Sequence, residues 1–240
     1  MKKRFSAILL IFFLLPYFPK AQAPTQKDLI YSYKNPERDG TGKVYMGREI
    51  AAIQGFEGAE WLERINREEE EHSDEAIRHF PLKGNSWVAD FGAGTGFYSF
   101  KISPLVPKGR VFSVEIEQKY IDYLNKKIKT TGMSNISPIK STEKSSNLPE
   151  GKLDLIFMVD VYHELSFPQE ILNSLKNALK PGGRILLLEY KAEDPNVPIK
   201  ELHKMSLAQV DKELKANGFI RERTEDFLPW QHFILYRKPY

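Results

Sequence analysis

The sequence predicts an α/β fold, a mainly parallel sheet covered by helices on both faces and preceded by a helical segment. Three observations predict it. Short apolar runs at residues 87–91, 111–114, 153–159 and 184–188 alternate with stretches of helical period, the mark of βαβ units. Two of the later helical stretches carry start and stop signals. A last pair of strand-like runs, 219–224 and 232–237, has only seven residues between its members, too few for a helical crossover, so that pair is expected to be antiparallel.

In chain order, Lys2-Lys3-Arg4 precede an apolar run at 5–15, followed by Pro16 and the triplet Ala21-Gln22-Ala23. Basic, apolar and small-residue regions in that order predict a signal peptide over 1–23, or a retained anchor, since Pro24 directly behind Ala23 disfavours cleavage. The run is short for a transmembrane helix, and membrane contact is expected through residues 5–15. The expected location is therefore exported, periplasmic or membrane-anchored; the alternative is cytoplasmic, with translation starting at Met46. Such a start is expected to delete no strand. Residues 24–45, with Asn35-Pro36 and Asp39-Gly40-Thr41-Gly42, are polar and turn-rich and predict a linker.

A helical region is expected over 46–85, marked by Ile50, Ile53, Trp61, Leu62 and Ile65, with the charges of 67–71 in solvent. The main domain is then 86–240. Within it Tyr120, Ile121, Leu124 and Ile128 share one helix face, and Ile171, Leu172, Leu175 and Leu179 another. Ser166 with Gln169 predicts a capping box before the second of these, and Pro181-Gly182-Gly183 its stop. Ser206 with Gln209 opens a last helix that Asn217-Gly218 closes.

Composition bounds the chemistry. The 240 residues are 41% hydrophobic and 28% charged and contain no cysteine, which excludes disorder, disulfide scaffolds, thiolate nucleophiles and cysteine-held metals. The net charge of +3 rests on Lys2, Lys3, Arg4 and Lys20; without these four, 31 basic residues face 32 acids, a net of −1. No general attraction to nucleic acid is expected from that balance. The five histidines show no His-Glu-x-x-His or similar spacing, so no metal is predicted.

The sharpest signal is 88–97, Val-Ala-Asp-Phe-Gly-Ala-Gly-Thr-Gly-Phe, a strand that runs through Gly92, Gly94 and Gly96 into a helix. Glycines there let the backbone turn and approach a ligand, with amides aimed outward at a helix start. Glu115 ends the next strand, where a carboxylate can accept both hydroxyls of a ribose. A dinucleotide fingerprint wants a third glycine where Phe97 stands, and no Walker lysine follows the loop. Asp90, just before the loop, suits a cationic group such as a sulfonium or ammonium.

Residues 90–96, Glu115, 153–157 and Leu179-Lys180-Pro181-Gly182-Gly183 resemble the successive motifs of the class I S-adenosylmethionine-dependent methyltransferases, with greatest similarity to the ubiquinone/menaquinone C-methyltransferase-like group. Residues 47–51, 61–64, 158–164 and 228–232 are similar to a predicted, often exported, subgroup. The resemblance implies a Rossmann-like seven-stranded sheet of order 3-2-1-4-5-7-6, its last strand antiparallel, and S-adenosyl-L-methionine as cofactor. It implies that Asp90, Gly92, Ala93, Gly94 and Gly96 hold the methionine end and Glu115 the ribose. Beyond the third strand relatives often carry acids; here Thr142 and Glu143 are the candidate adenine partners.

Methyl transfer to a small-molecule acceptor is then the expected activity, with a carbon or oxygen acceptor left open; the alternative is a cofactor-binding envelope sensor or scaffold without catalysis. His163, whose reference pKa is near neutrality, is the candidate base, set against a helix-capping or packing role. Asp160 is the candidate orienting acid. Arg48, Trp61 and Tyr162 are candidate acceptor contacts. Arg64 and Arg67 are expected in solvent, Glu189 either at the pocket or on the surface, His203 and Gln231 on the pocket wall, and His232 as a satisfied strand histidine.

Overall fold

The computed structural model describes residues 30–240, so the predicted signal or anchor, including the membrane contact at 5–15, lies outside the described residues. The described part of 24–45 is not a linker. Tyr31–Tyr33 (β1), Gly40–Tyr45 (β2) and Arg48–Ala51 (β3) form an antiparallel sheet in the order β1-β2-β3. Met46 and Gly47, at φ 48° and 99°, make the two-residue left-handed turn that a tight hairpin requires. The turn-forming composition read as a linker thus belongs to hairpin turns. A start at Met46 would remove β1 and β2, contrary to the expectation that it costs no strand.

The region expected to be helical opens on β3 and then breaks into Ala59–Leu62 (α1), Arg67–Glu71 (α2) and Ser73–Arg78 (α3). Ile50 is therefore a buried strand residue, and Ile65 is wholly exposed. The break between α2 and α3 falls at His72, held in the left-handed conformation at φ 50°.

The main sheet contains Trp87–Phe91 (β4), Arg110–Glu115 (β5), Ile136–Lys140 (β6), Leu153–Val159 (β7), Leu179–Tyr190 (β8), Ile220–Glu225 (β9) and Gln231–Arg237 (β10). Its order is β6-β5-β4-β7-β8-β10-β9. β10 runs antiparallel to β8 and β9 while the other pairings are parallel, which matches the implied order and the short final connection. Phe97–Ile102 (α4), Gln118–Thr131 (α5), Pro168–Ala178 (α6) and Leu207–Ala216 (α7) cover the sheet. Successive strand residues feed opposite faces: Ile156, Met158, Ile185 and Leu187 pack with α6 and α7, and Leu155, Phe157, Leu186 and Leu188 pack with α3, α4 and α5. Strands buried on both faces explain why the sequence reads as continuous apolar runs.

Ser206 caps α7 as expected, its side chain accepting from the Gln209 amide at 3.2 Å, with Asn217 at the other end. The predicted Ser166–Gln169 box does not form. α6 begins at Pro168, whose missing N–H suits a first helical position, and the Gln169 amide donates to the Tyr31 hydroxyl instead. Leu179 to Gly183 open β8 rather than end a helix, with Leu179 in register with Leu153. Among the described residues no helix is long and apolar enough to cross a membrane.

Candidate active site

The carboxyl ends of β4, β5, β7 and β8 open onto a cavity of about 520 Å³, the position at which open α/β sheets bind ligands. One wall is the glycine loop. Gly92 and Gly94 have φ of 80° and 54°, a region costly for any side chain. A Cβ on Gly92 would stand 2.5 Å from the Val161 side chain, and one on Gly94 2.5 Å from Leu62. The obstruction comes from neighbouring side chains that flank the loop. Gly92 and Ala93 donate their amides to the Val114 carbonyl, and Gly94 donates to Glu115 Oε1 at 2.7 Å.

Glu115 borders the cavity as expected, with Oε2 accepting from the Ile116 amide at 2.9 Å. Burial pushes its carboxyl up, opposed by those amides. Asp90 is placed differently from the expectation of direct ligand contact. It lies buried beneath the loop, where Oδ2 accepts from the Ser99 hydroxyl at 2.8 Å and the Ser99 amide at 3.1 Å, so it ties β4 to the start of α4. Burial raises its pKa to about 7, with the Ser99 bonds acting against the rise. Ala93 and Gly96 also stay off the cavity wall; a Cβ on Gly96 would strike Leu124 and Phe100, so that glycine serves helix packing. Thr142 and Glu143 reach the wall, but the Thr142 hydroxyl already accepts from the amides of Lys144 and Ser145.

The opposite wall is built from acids and imidazoles. Asp160 follows β7 at φ 54°, a strained position for a non-glycine residue. Its Oδ2 accepts from Gln231 Nε2 at 2.6 Å, whereas Oδ1 is buried with no partner. Burial, then Glu71 and Glu189, push its carboxyl well up. His163 sits on a single turn, Tyr162–Glu164, its Nδ1 2.7 Å from Glu189 Oε2 and its Nε2 3.1 Å from His203 Nδ1. Burial alone would lower its pKa, but Glu189 and Glu164 raise it to about 10. The expected base with a near-neutral pKa is thus corrected: both ring nitrogens are engaged, and the ring is held as an imidazolium. Glu164 is held at about 2, burial being outweighed by the two imidazoles.

Arg48 and Tyr162, expected to touch the acceptor, point away from the cavity. Tyr162 is fully buried and donates to Glu213 Oε2 at 2.7 Å. Arg48 forks onto the same carboxylate at 2.8 and 3.2 Å and donates to the His163 carbonyl at 2.9 Å. Glu213 has no exposure to water, so its charge demands these donors. Trp61 does border the cavity, with the Arg64 guanidinium 3.9 Å from its ring centre. Arg64 and Arg67, expected in solvent, both pair with buried Glu71, and Tyr190 donates to Glu71 as well. His232 pairs with Glu193 away from the cavity, as a strand histidine should. Glu71, Glu164 and Tyr190 carry no signal in the sequence, because the contacts that bring them to the cavity, Tyr190 with Glu71 and His203 with Glu164, join distant parts of the chain.

A family model described as a methyltransferase domain matches residues 82–231. Over 134 residues the chain is 28% identical to the ubiquinone/menaquinone biosynthesis C-methyltransferase UbiE of Vibrio vulnificus (strain YJ016), a match covering 54% of this chain and 52% of the relative. The corresponding protein of Shewanella oneidensis is 30% identical over 105 residues, 43% of this chain and 42% of that one. The chain therefore spans about half the length of the curated relatives it matches. A crystal structure of a SAM-dependent methyltransferase from Aquifex aeolicus superposes with a TM-score of 0.73 at 26% identity, covering 77% of this chain and 99% of that one. The [4+2]-cyclase SpnF shares the fold at 16% identity and a TM-score of 0.60, over 70% and 80% of the two chains.

Proposed function

The chain belongs to the methyltransferase domain family, among the class I S-adenosylmethionine-dependent methyltransferases, and from this premise we propose that it methylates a small-molecule acceptor held in the cavity at the sheet's carboxyl edge. The observation that carries the proposal is a single cavity at the sheet's carboxyl edge bordered by Gly92, Gly94 and Glu115 on one side and by Asp160 on the other, with the Asp160 Oδ1 buried behind that wall and unpartnered. A carboxyl group with an oxygen left unpartnered fits a cationic or proton-bearing group nearby, and Glu115, which holds the Gly94 and Ile116 amides, keeps further lone pairs for hydroxyls.

When bound, S-adenosyl-L-methionine would supply a methyl group activated on its sulfonium, with a neutral thioether as the leaving group. The chain's own residues bind, align and exclude water. Gly92 and Gly94 leave room along the loop, Glu115 offers its remaining lone pairs to the ribose hydroxyls, and Thr142 and Glu143 flank the base. Asp160 orients the reacting groups. Trp61 and Leu62 roof the cavity. Arg48 and Tyr162 act at one remove, by fixing the turn that carries His163.

The test is incubation of the purified protein with methyl-labelled cofactor and fractionated lipid and quinone extracts, alongside calorimetry of cofactor binding. Saturable binding with label transferred to one fraction is expected; failure of the folded protein to bind the cofactor overturns the reading. Export is proposed from residues 2–23, and mass spectrometry of the native amino terminus checks it. A terminus near Pro24 or one retaining 5–15 in a membrane fraction supports export or anchoring, and a cytosolic protein starting at Met46 overturns it.

A further inference from the structure

We infer that His163, Glu164 and His203 form a binding site for a divalent first-row transition metal of the zinc type on the wall of the same cavity. His163 Nε2, Glu164 Oε1 and His203 Nδ1 form a triangle with sides of 3.1, 3.3 and 3.7 Å. Zinc sits about 2.1 Å from imidazole nitrogens and carboxylate oxygens, so at tetrahedral angles its ligand atoms lie about 3.4 Å apart. The three atoms are already spaced for one ion, without movement of any element. All three residues border the cavity, so the fourth position opens toward bound ligands, as in zinc sites that keep an exchangeable place.

The surroundings are those of a built site. Glu189 Oε2 holds His163 Nδ1 at 2.7 Å, which aims the other nitrogen into the triangle, where a bound ion would take the place of the Nε2 proton, the carboxylate–histidine arrangement that orients metal ligands. Glu189 is itself fixed, its Oε1 accepting from the Tyr162 amide at 2.8 Å. The Gln54 amide donates to Glu164 Oε2 and leaves Oε1 for the ion. The two imidazole rings are inclined at 77°, converging edge-on instead of stacking. Two histidines and a carboxylate suit zinc or ferrous iron and disfavour magnesium, which prefers oxygen ligands throughout. His203 lies 40 residues beyond His163, so no ligand spacing was visible in the sequence, and the expectation of no metal gives way here. Resting on the methyltransferase reading, the open position would take an anionic oxygen of the acceptor, such as an enolate or phenolate.

Purified protein stripped with a chelator and titrated with Zn²⁺ by calorimetry, and with Co²⁺ by visible absorption, tests the site. Expected are one ion per chain, a tetrahedral Co²⁺ spectrum, no binding of Mg²⁺, and affinity weakened at least about 100-fold in both His203→Ala and Glu164→Gln, with folding checked by circular dichroism. A folded wild-type protein that binds neither Zn²⁺ nor Co²⁺ overturns the inference. So does Zn²⁺ affinity unchanged in His203→Ala, a substitution on a surface turn that tests the site even if Glu164→Gln misfolds. Cofactor binding measured on the same samples separates the two readings: zinc bound without cofactor sinks the proposed function and leaves the metal site supported.

Discussion

The two walls of the cavity are made in opposite ways. The glycine loop wall is local: Gly92, Gly94 and Glu115 come from two adjacent parallel strands, β4 and β5, and the turn between β4 and α4. The facing wall is assembled from afar. Asp160 meets Gln231 across 71 residues and Tyr190 meets Glu71 across 119, while behind the wall Arg48 meets Glu213 across 165. The local wall presents backbone to the ligand and is fixed by conformation. The assembled wall presents ionisable side chains whose charges are fixed only by each other, so its removal of single partners should cost more than its sequence suggests.

The largest effect is therefore expected at Arg48, outside the cavity. Arg48→Met leaves the buried Glu213 carboxylate short of its forked partner and should cost about 3–5 kcal/mol of stability, the usual loss when one member of a buried pair is removed. Chemical denaturation measures it. Cofactor affinity of the fraction still folded should stay near wild type, since the glycine wall is untouched; a loss under 1 kcal/mol would show the assembled wall to be less interdependent than its hydrogen bonds imply.

Gly92→Ala comes next and strikes the place where the walls touch. A methyl at φ 80° faces Val161 at 2.5 Å, combining backbone strain with overpacking, each worth about 1–3 kcal/mol. Calorimetric cofactor affinity should fall on the order of 100-fold. Wild-type affinity in a folded variant would remove the loop from the site.

Legibility in the sequence follows the same division. The alternation of strand and helix, the antiparallel last pair, the α7 caps and the loop with its acid are readable because each depends on neighbours in the chain or on a motif of fixed spacing, whereas the sheet order follows from the family resemblance. The β1-β2-β3 sheet is not readable, since its strands are short and its turn uses Met46-Gly47 instead of an asparagine–glycine signal. Residue type points Arg48, and position behind β7 points Tyr162, to the acceptor, and only the buried Glu213 explains where they turn instead. His163 was read at its reference pKa, which ignores Glu189 and Glu164.

Asp90 sharpens the comparison through pH. Its folded pKa, about 7, exceeds the unfolded value of about 3.9, so the folded state binds the extra proton between those values. Stability should consequently fall as pH rises through that window, by at most about 1.4 kcal/mol per pH unit. Denaturation of Asp90→Asn, which cannot ionise, should show a flatter profile between pH 4 and about 7; an unchanged profile would mean that Asp90 titrates as an ordinary carboxyl.

The smallest effect is expected at Trp61, which belongs to neither wall. It is 42% exposed and its ring lies under the Arg64 guanidinium at 3.9 Å, a contact worth about 0.5–1 kcal/mol at such exposure. Arg64 is tied to Glu70 and Glu71, so truncating the ring should leave the helix pair standing and change stability by less than about 1 kcal/mol. What Trp61→Ala removes is cover: Leu62, the next residue, is the side chain against Gly94, and loss of the ring should let the bound ligand exchange faster. Cofactor affinity should drop about 2–5-fold, restored in Trp61→Phe. Unchanged cofactor affinity with a raised acceptor KM would instead put Trp61 over the acceptor, where its residue type first placed it, and a variant unchanged in both would leave the roof without a role in binding.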